Sequence, residues 1–236
     1  MKVFLASASE ARKPLTAEGR RHLDLGKGLY LATSHGEAID WSSCLGTDEK
    51  QVLVSAYEFD IDAARKVFSV RIFPSLDSEW LSFVTACREG LPAQEKYDAV
   101  LGGVVNGRIF NAIELLAAGC ISRKEALSRL SSEQPGTLIC VRSEELADRC
   151  LKFVASERVA VDSEPVEPAN PTLLQMKMSR VITLLAKTLG VGILEAMDLF
   201  YRSGTYQELA DSRSRLRNRS DLFIVDELAQ ELERKD

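Results

Sequence analysis

Apolar positions along this chain follow two different periods, and the change from one to the other divides it. In the first two thirds, short apolar runs with loose alternation read as strands. They fall at Lys2 to Ser7, Val52 to Asp60, Val67 to Phe73 (ended by Pro74), Tyr97 to Leu101, Thr137 to Val141 and Leu151 to Val154. Helical spacing lies between them. Asp77 to Arg88 sets Trp80, Leu81 and Val84 on one face, and Ile109 to Ala118 does the same with Ile109, Ile113 and Leu116. Ser34 with Glu37, and Ser122 with Glu125, have the Ser-x-x-Glu spacing of a capping box. Short helices dispersed among short strands predict an α+β fold rather than a doubly wound sheet. No G-x-G-x-x-G opens a helix after a strand, and there is no P-loop.

From Ser156 to Pro171 the text turns to proline and acid, with three of the seven prolines, and predicts a linker. Beyond it, Leu174, Met178, Val181, Ile182, Leu185 and Leu189 recur as one apolar helical face that closes at Gly190. Ile193 to Tyr201 and Asp221 to Arg234 predict two more helices. The expected organisation is a domain over 1–155, a linker over 156–171 and a small all-helical domain over 172–236.

Composition narrows the chemistry. No stretch approaches the roughly 20 apolar residues of a membrane span, and the run after Lys2 is too short for a signal peptide. The expected location is the cytoplasm. A net charge of -5 argues against a general nucleic-acid binder. The five cysteines (Cys44, Cys87, Cys120, Cys140, Cys150) form no C-x-x-C pair, and His22 and His35 are the two histidines, so no zinc site is expected. The basic run Arg213, Arg215, Arg217 and Arg219 reads as a solvated turn or as a phosphate contact.

The segment Asp24 to Ser34, DLGKGLYLATS, carries the most chemistry. Gly26 and Gly28 permit a sharp turn or close approach to a ligand. Tyr30 offers an aromatic face, and Thr33 and Ser34 offer hydroxyls before a helix start, where anions are favoured. The same residues also suit a turn, a core tyrosine and a cap. In order along the chain, DLGKGLYLATS, EAIDWS, VLVSAYEFD, SEWLSFV, YDAVLGGVVNGRIF and GTLICVRSEELADRCLKF resemble a bacterial domain family of unknown function, placed in the ADP-ribosyltransferase superfamily.

This resemblance covers about residues 2–154 and implies split antiparallel sheets around an NAD cleft. It implies that Tyr30 is the tyrosine that stacks on nicotinamide, with Gly28 and Thr33 as its motif neighbours, and that Ala6, Ser7 and Ser34 border the same cofactor site. Where the superfamily has a histidine to hold the ribose, this chain has Leu5; where it has a glutamate or glutamine, Leu138 stands, with Gln134 four residues earlier. A leucine offers a ribose no hydrogen bond, and the departing nicotinamide leaves a cationic sugar that needs electrostatic support. The resemblance therefore implies a domain that binds NAD or a related nucleotide, with weak or no transferase or NAD glycohydrolase activity. The alternative is a non-catalytic protein-interaction or regulatory module.

The tail, through MSRVITLLAKTLGV, EAMDLFYRSGTYQEL and DLFIVDELAQEL, resembles a second small helical family often encoded beside the first. That pairing implies a toxin-antitoxin or phage-defence setting, and the fusion of the two families suggests that the tail blocks the cleft of its own domain; the apolar helical tail also suits a homodimer, and a protein partner is expected if the domain is a non-catalytic module.

Overall fold

A computed structural model describes residues 1–14, 16, 19, 21–42, 51–91, 96–104, 107–133, 135–160, 170–211 and 216–234. In chain order the strands are β1 (Lys2–Ser7), β2 (Leu29–Ala32), β3 (Gln51–Phe59), β4 (Val70–Ile72), β5 (Ala99–Gly103), β6 (Thr137–Val141) and β7 (Leu151–Ala160). The helices are α1 (His35–Ser42), α2 (Ile61–Val67), α3 (Ser78–Arg88), α4 (Gly107–Ala117), α5 (Arg123–Leu130), α6 (Glu144–Cys150), α7 (Pro171–Leu189), α8 (Ile193–Tyr201), α9 (Gly204–Ala210) and α10 (Asp221–Glu233). The architecture is α+β, as the periodicities predict.

The strands make one mixed seven-stranded sheet, ordered β4-β5-β6-β2-β1-β3-β7, with β4 and β5 parallel and the other pairs antiparallel. Two separate antiparallel sheets are therefore not what forms. At one place the sheet is nearly divided: β1 and β2 align at a single pair, Phe4 with Ala32, whereas β1 and β3 align at six. Alternation along the strands sends Val3, Leu29, Leu31, Tyr57, Ile139 and Val141 to one face, where Ala64 of α2 and Leu146, Ala147 and Cys150 of α6 close the core. Tyr30, Leu138 and Cys140 go to the opposite face and are buried there. Trp80 of α3 donates its indole N–H to the carbonyl of Gly103, 2.9 Å away, and ties that helix to the end of β5.

The chain divides into two compact units, with one boundary inside the expected linker and two more that set residues 105–133 apart from the sheet. One comprises residues 1–104 and 134–164 and holds the whole sheet; the other comprises 105–133 and 165–236. Helices α4 and α5, expected in the first domain, belong with α7 to α10. The reason is Glu114 of α4, only 3% exposed. Its carboxylate meets Lys177 at 3.1 Å and also Arg180, both on α7, while Asp221 at the start of α10 meets the same two cations at 2.9 and 2.6 Å. Lys177 is 1% exposed, so its ammonium is sustained only by paired carboxylates.

Other boundaries move as well. The expected strand at Val67 to Phe73 is split, because α2, capped by Asp60, runs to Val67 and leaves only Val70–Ile72 extended. Strand β7 continues to Ala160 along β3, so the linker starts later than Ser156. Residues 161–169 lie outside the described residues, as do Cys44, Gln134, Arg213 and Arg215. Among the described residues no helix is long and apolar enough to cross a membrane.

Replacing Lys177 by Met leaves Glu114 and Asp221 facing each other with one cation fewer. The expected loss is about 3–5 kcal/mol of stability, the usual result of breaking a buried ion pair. It is read from the urea midpoint followed by circular dichroism, and an unchanged midpoint would mean that the cluster contributes nothing.

Candidate functional site

Segment 24–28 is fixed by three buried attachments, all within the sheet unit. Asp24 accepts from Arg88 of α3 at 2.8 Å, with both side chains 8% exposed. The Tyr30 hydroxyl donates to the carbonyl of Gly26 at 2.8 Å and accepts from the Leu25 amide at 3.0 Å. The Arg142 guanidinium, just past β6, donates to the Leu25 carbonyl, lies 3.9 Å from the Cys87 sulfur and sits over the Phe83 ring. The two glycines serve this local packing. Gly26 adopts φ +84°, which only glycine does at little cost, and a Cβ there would strike Arg142. A Cβ on Gly28 would come within 2.6 Å of the Val141 carbonyl oxygen and 2.7 Å of the Cys140 sulfur.

Burial sets the protonation of this cluster. The Tyr30 phenol is held well above its ordinary 10.0 by desolvation, helped by neighbouring Cys140 and Asp24. Desolvation also pushes the Cys87 thiol up to about 12 and the Cys140 thiol up to about 11, although Arg142 beside each pulls the other way. At neutral pH all three are protonated, and neither thiol is the thiolate a nucleophile needs.

The other expected site residues lie elsewhere. Leu5 packs with the core on the α2–α6 face, whereas Ala6, next along the strand, turns to the face shared by Tyr30 and Leu138. Leu138, 2% exposed, pairs in register with Ala32. The Ser7 hydroxyl donates to the Ser9 carbonyl. Thr33 and Ser34 form the predicted cap: the Thr33 hydroxyl and the Ser34 amide both donate to one oxygen of Glu37, and the Glu37 amide donates back to the Ser34 hydroxyl. The other Glu37 oxygen accepts from the Thr137 amide of β6 at 3.2 Å. A carboxylate of the protein's own thus occupies the helix start where an external anion was expected.

A cavity of about 650 Å³ opens beside segment 24–28. Thr16, Arg21, His22, Lys27, Arg142 and Glu144 line it, together with Gly26 and the end of α3 at Cys87, Gly90 and Leu91. Its size is that of a small-molecule site. Three cations and a histidine face it, and Glu144 is the carboxylate among the described lining residues. One Glu144 oxygen accepts from both the amide and the hydroxyl of Thr16, at 2.6 and 2.8 Å. His22 takes a left-handed φ of +58°, unusual for a non-glycine residue, and Gly90 at φ +69° leaves room for its ring. Strain of this kind gathers at ligand sites.

Of the sequence candidates, Ala6, Ser7, Tyr30, Thr33 and Ser34 do not line the cavity, and Gly28 stops short of it. The resemblance implies no role for Arg21, His22, Lys27 or Arg142, all of which line the cavity. A signal was present in RRHLDLGKG, where basic side chains flank the glycines, but Arg142 is far away in sequence. Among the described residues, no three His, Cys, Asp or Glu side chains gather as a metal centre requires.

Fold and cavity together define an α+β protein with a small-molecule-sized, cation-lined pocket. The chain belongs to the family described as protein of unknown function (DUF3990), whose model matches residues 1–153. No curated protein and no solved structure matches it.

Tyr30→Phe removes a hydroxyl and leaves the Leu25 amide and the Gly26 carbonyl short of a partner. It should cost about 1–3 kcal/mol in denaturant unfolding, the usual range for a stranded buried polar group.

The same burial predicts alkaline sensitivity. Below about pH 7.5 the native and unfolded chains bind nearly equal numbers of these protons, because an unfolded thiol ionises at about 8.5. As pH rises further, the unfolded thiols and phenol ionise while the native ones stay protonated, so stability falls. Urea midpoints at about pH 8 and about pH 10.5 check this, and the loss should be shallower in a C87A/C140A variant.

Proposed function

We propose that the sheet unit is a ligand-binding relative of the ADP-ribosyltransferases, one that takes NAD or a related phosphate-bearing nucleotide and has little or no transferase activity. The observation that carries this reading is the cavity, where Arg21, Lys27 and Arg142 converge with His22 beside the GKGLYLATS segment. Guanidinium groups recognise phosphate oxygens by paired hydrogen bonds, and a lysine adds a mobile point charge. This local positive field exists on a chain whose net charge is -5, so it attracts an anion to one place rather than over a whole surface.

Weak or absent transfer chemistry in this reading follows from two apolar side chains, Leu5 partly buried and Leu138 fully so. Leu5 and Leu138 stand at the positions where transfer needs a ribose hydrogen bond and a carboxylate or amide. Neither can steady a cationic sugar as nicotinamide leaves. Tyr30 supports the site from behind: its hydroxyl sets the turn at Gly26, next to Lys27. In this reading Tyr30 shapes the pocket through segment 24–28, and Lys27 and Arg21 touch the ligand.

Titration calorimetry with NAD tests the reading directly. Lys27→Glu and Arg21→Glu, both at exposed positions, should each weaken binding about tenfold or more, as loss of a charge-assisted contact does. Their thermal midpoints should stay at the wild-type value. No heat with NAD or ADP-ribose at high protein concentration would sink nucleotide binding. Steady nicotinamide release by the wild-type protein would show instead that the site is catalytic despite Leu5 and Leu138.

A further inference from the structure

One side chain of the cavity changes its charge near neutral pH. His22 is one of two histidines in the chain, and it lines the cavity with Arg21, Lys27, Arg142 and Glu144. Its backbone sits at φ +58°, a left-handed conformation uncommon for any residue but glycine. Its ring lies over Gly90, where a Cβ would come within 2.7 Å of Cε1 and 3.1 Å of Nδ1. Gly90 follows the last turn of α3, so the imidazole is seated beside the carbonyl end of that helix. The left-handed backbone and the bare Cα of Gly90 together hold the ring at the cavity wall.

The charges around this ring oppose one another. A helix C-terminus carries partial negative charge and favours a cation close to it. On the same segment Asp24 is paired with Arg88 of α3 at 2.8 Å, and Glu89, the next residue, is exposed. Beyond β6, Glu144 accepts from Thr16. The Cys87 thiol, pushed up to about 12 by burial, stays neutral. Arg21, Lys27 and Arg142 outnumber Glu144 on the cavity wall and repel an imidazolium until an anion enters. An anion reverses the balance, because it offsets those cations and attracts the imidazolium directly. Anion binding and protonation of His22 are therefore linked, each strengthening the other.

We infer that His22 contacts the phosphate of the ligand, donates to it as an imidazolium, and takes up a proton when the ligand binds. The inference rests on the nucleotide reading of the cavity and adds a preference to it. As pH falls through the imidazole range, at about 6.5, the diphosphate diester of NAD keeps its charge and gains a partner. A phosphate monoester loses charge over the same interval, since its second ionisation falls at about 6, and its gain is offset. The site therefore favours diphosphate diesters over monoesters in mildly acidic solution.

Titration calorimetry of the full chain with NAD, at about pH 8 and about pH 5.5 and in buffers of different ionisation enthalpy, reads affinity and proton uptake together. The wild type should bind about tenfold more tightly at the lower pH and take up part of a proton between the two. His22→Asn, with a side chain that tolerates a positive φ, should bind equally at both pH values and take up no proton. His35→Asn, on α1 and paired with Glu157 at 2.8 Å, should keep both effects. That variant leaves His22 as its one histidine, so uptake retained there assigns the proton even where His22→Asn is unstable. NAD affinity that is flat with pH, with a heat independent of buffer, overturns this inference and leaves nucleotide binding standing. A pH dependence that survives in His22→Asn overturns it too. No binding of NAD at either pH overturns the nucleotide reading and this inference together.

Discussion

The Tyr30 hydroxyl, closed off from water, joins the Leu25 amide to the Gly26 carbonyl, and much of the sheet unit depends on that junction. The turn it shapes carries Asp24 to Arg88 of α3 and presents the Leu25 carbonyl to Arg142 beyond β6. Two elements distant in sequence, α3 and the end of β6, are fixed to five consecutive residues. A hydrogen bond in water contributes little, because water replaces it; a buried one is costly to leave unmade. This asymmetry makes segment 24–28 a rigid wall from which Lys27 projects into the cavity.

In the helical unit, burial has the opposite problem to solve. The Lys177 ammonium is buried, and Glu114 and Asp221 each pair with both it and Arg180, so that positive and negative groups alternate. Ionic clusters of this kind add little net stability relative to apolar packing, but they penalise every arrangement that separates the charges. Here they specify which helices pack together, across a sequence gap that includes α5, β6, α6 and β7. The Asp221 carboxyl is held below its usual range chiefly by Lys177 and Arg180, against the opposing effect of burial.

The two units divide the chemistry. In the sheet unit, burial keeps Tyr30, Cys87 and Cys140 protonated, so the cavity offers fixed positive charge and no activated thiolate. In the helical unit one face of α8, with Ile193, Leu194, Met197 and Tyr201, is apolar and exposed.

The sequence by itself determined the fold class, most elements and the caps. Those follow from local periodicity and from side chains that bond within three or four residues, as Ser34 and Glu37 or Ser122 and Glu125 do. Membership of a family of unknown function was also legible for residues 1–153, since it rests on ordered blocks of residues. Only tertiary structure decided that Gly26 and Gly28 serve chain packing, that Glu37 fills the helix start, and that Tyr30 acts through its hydroxyl. Each depends on which strand lies beside which. The same holds for α4, whose place among the C-terminal helices is set by Glu114, Lys177 and Asp221, and for the cavity, where Arg142 joins Arg21 and Lys27. Periodicity reports which face of an element is apolar; it does not report what that face meets, because the partner is chosen by long-range packing and by pairing of buried charge.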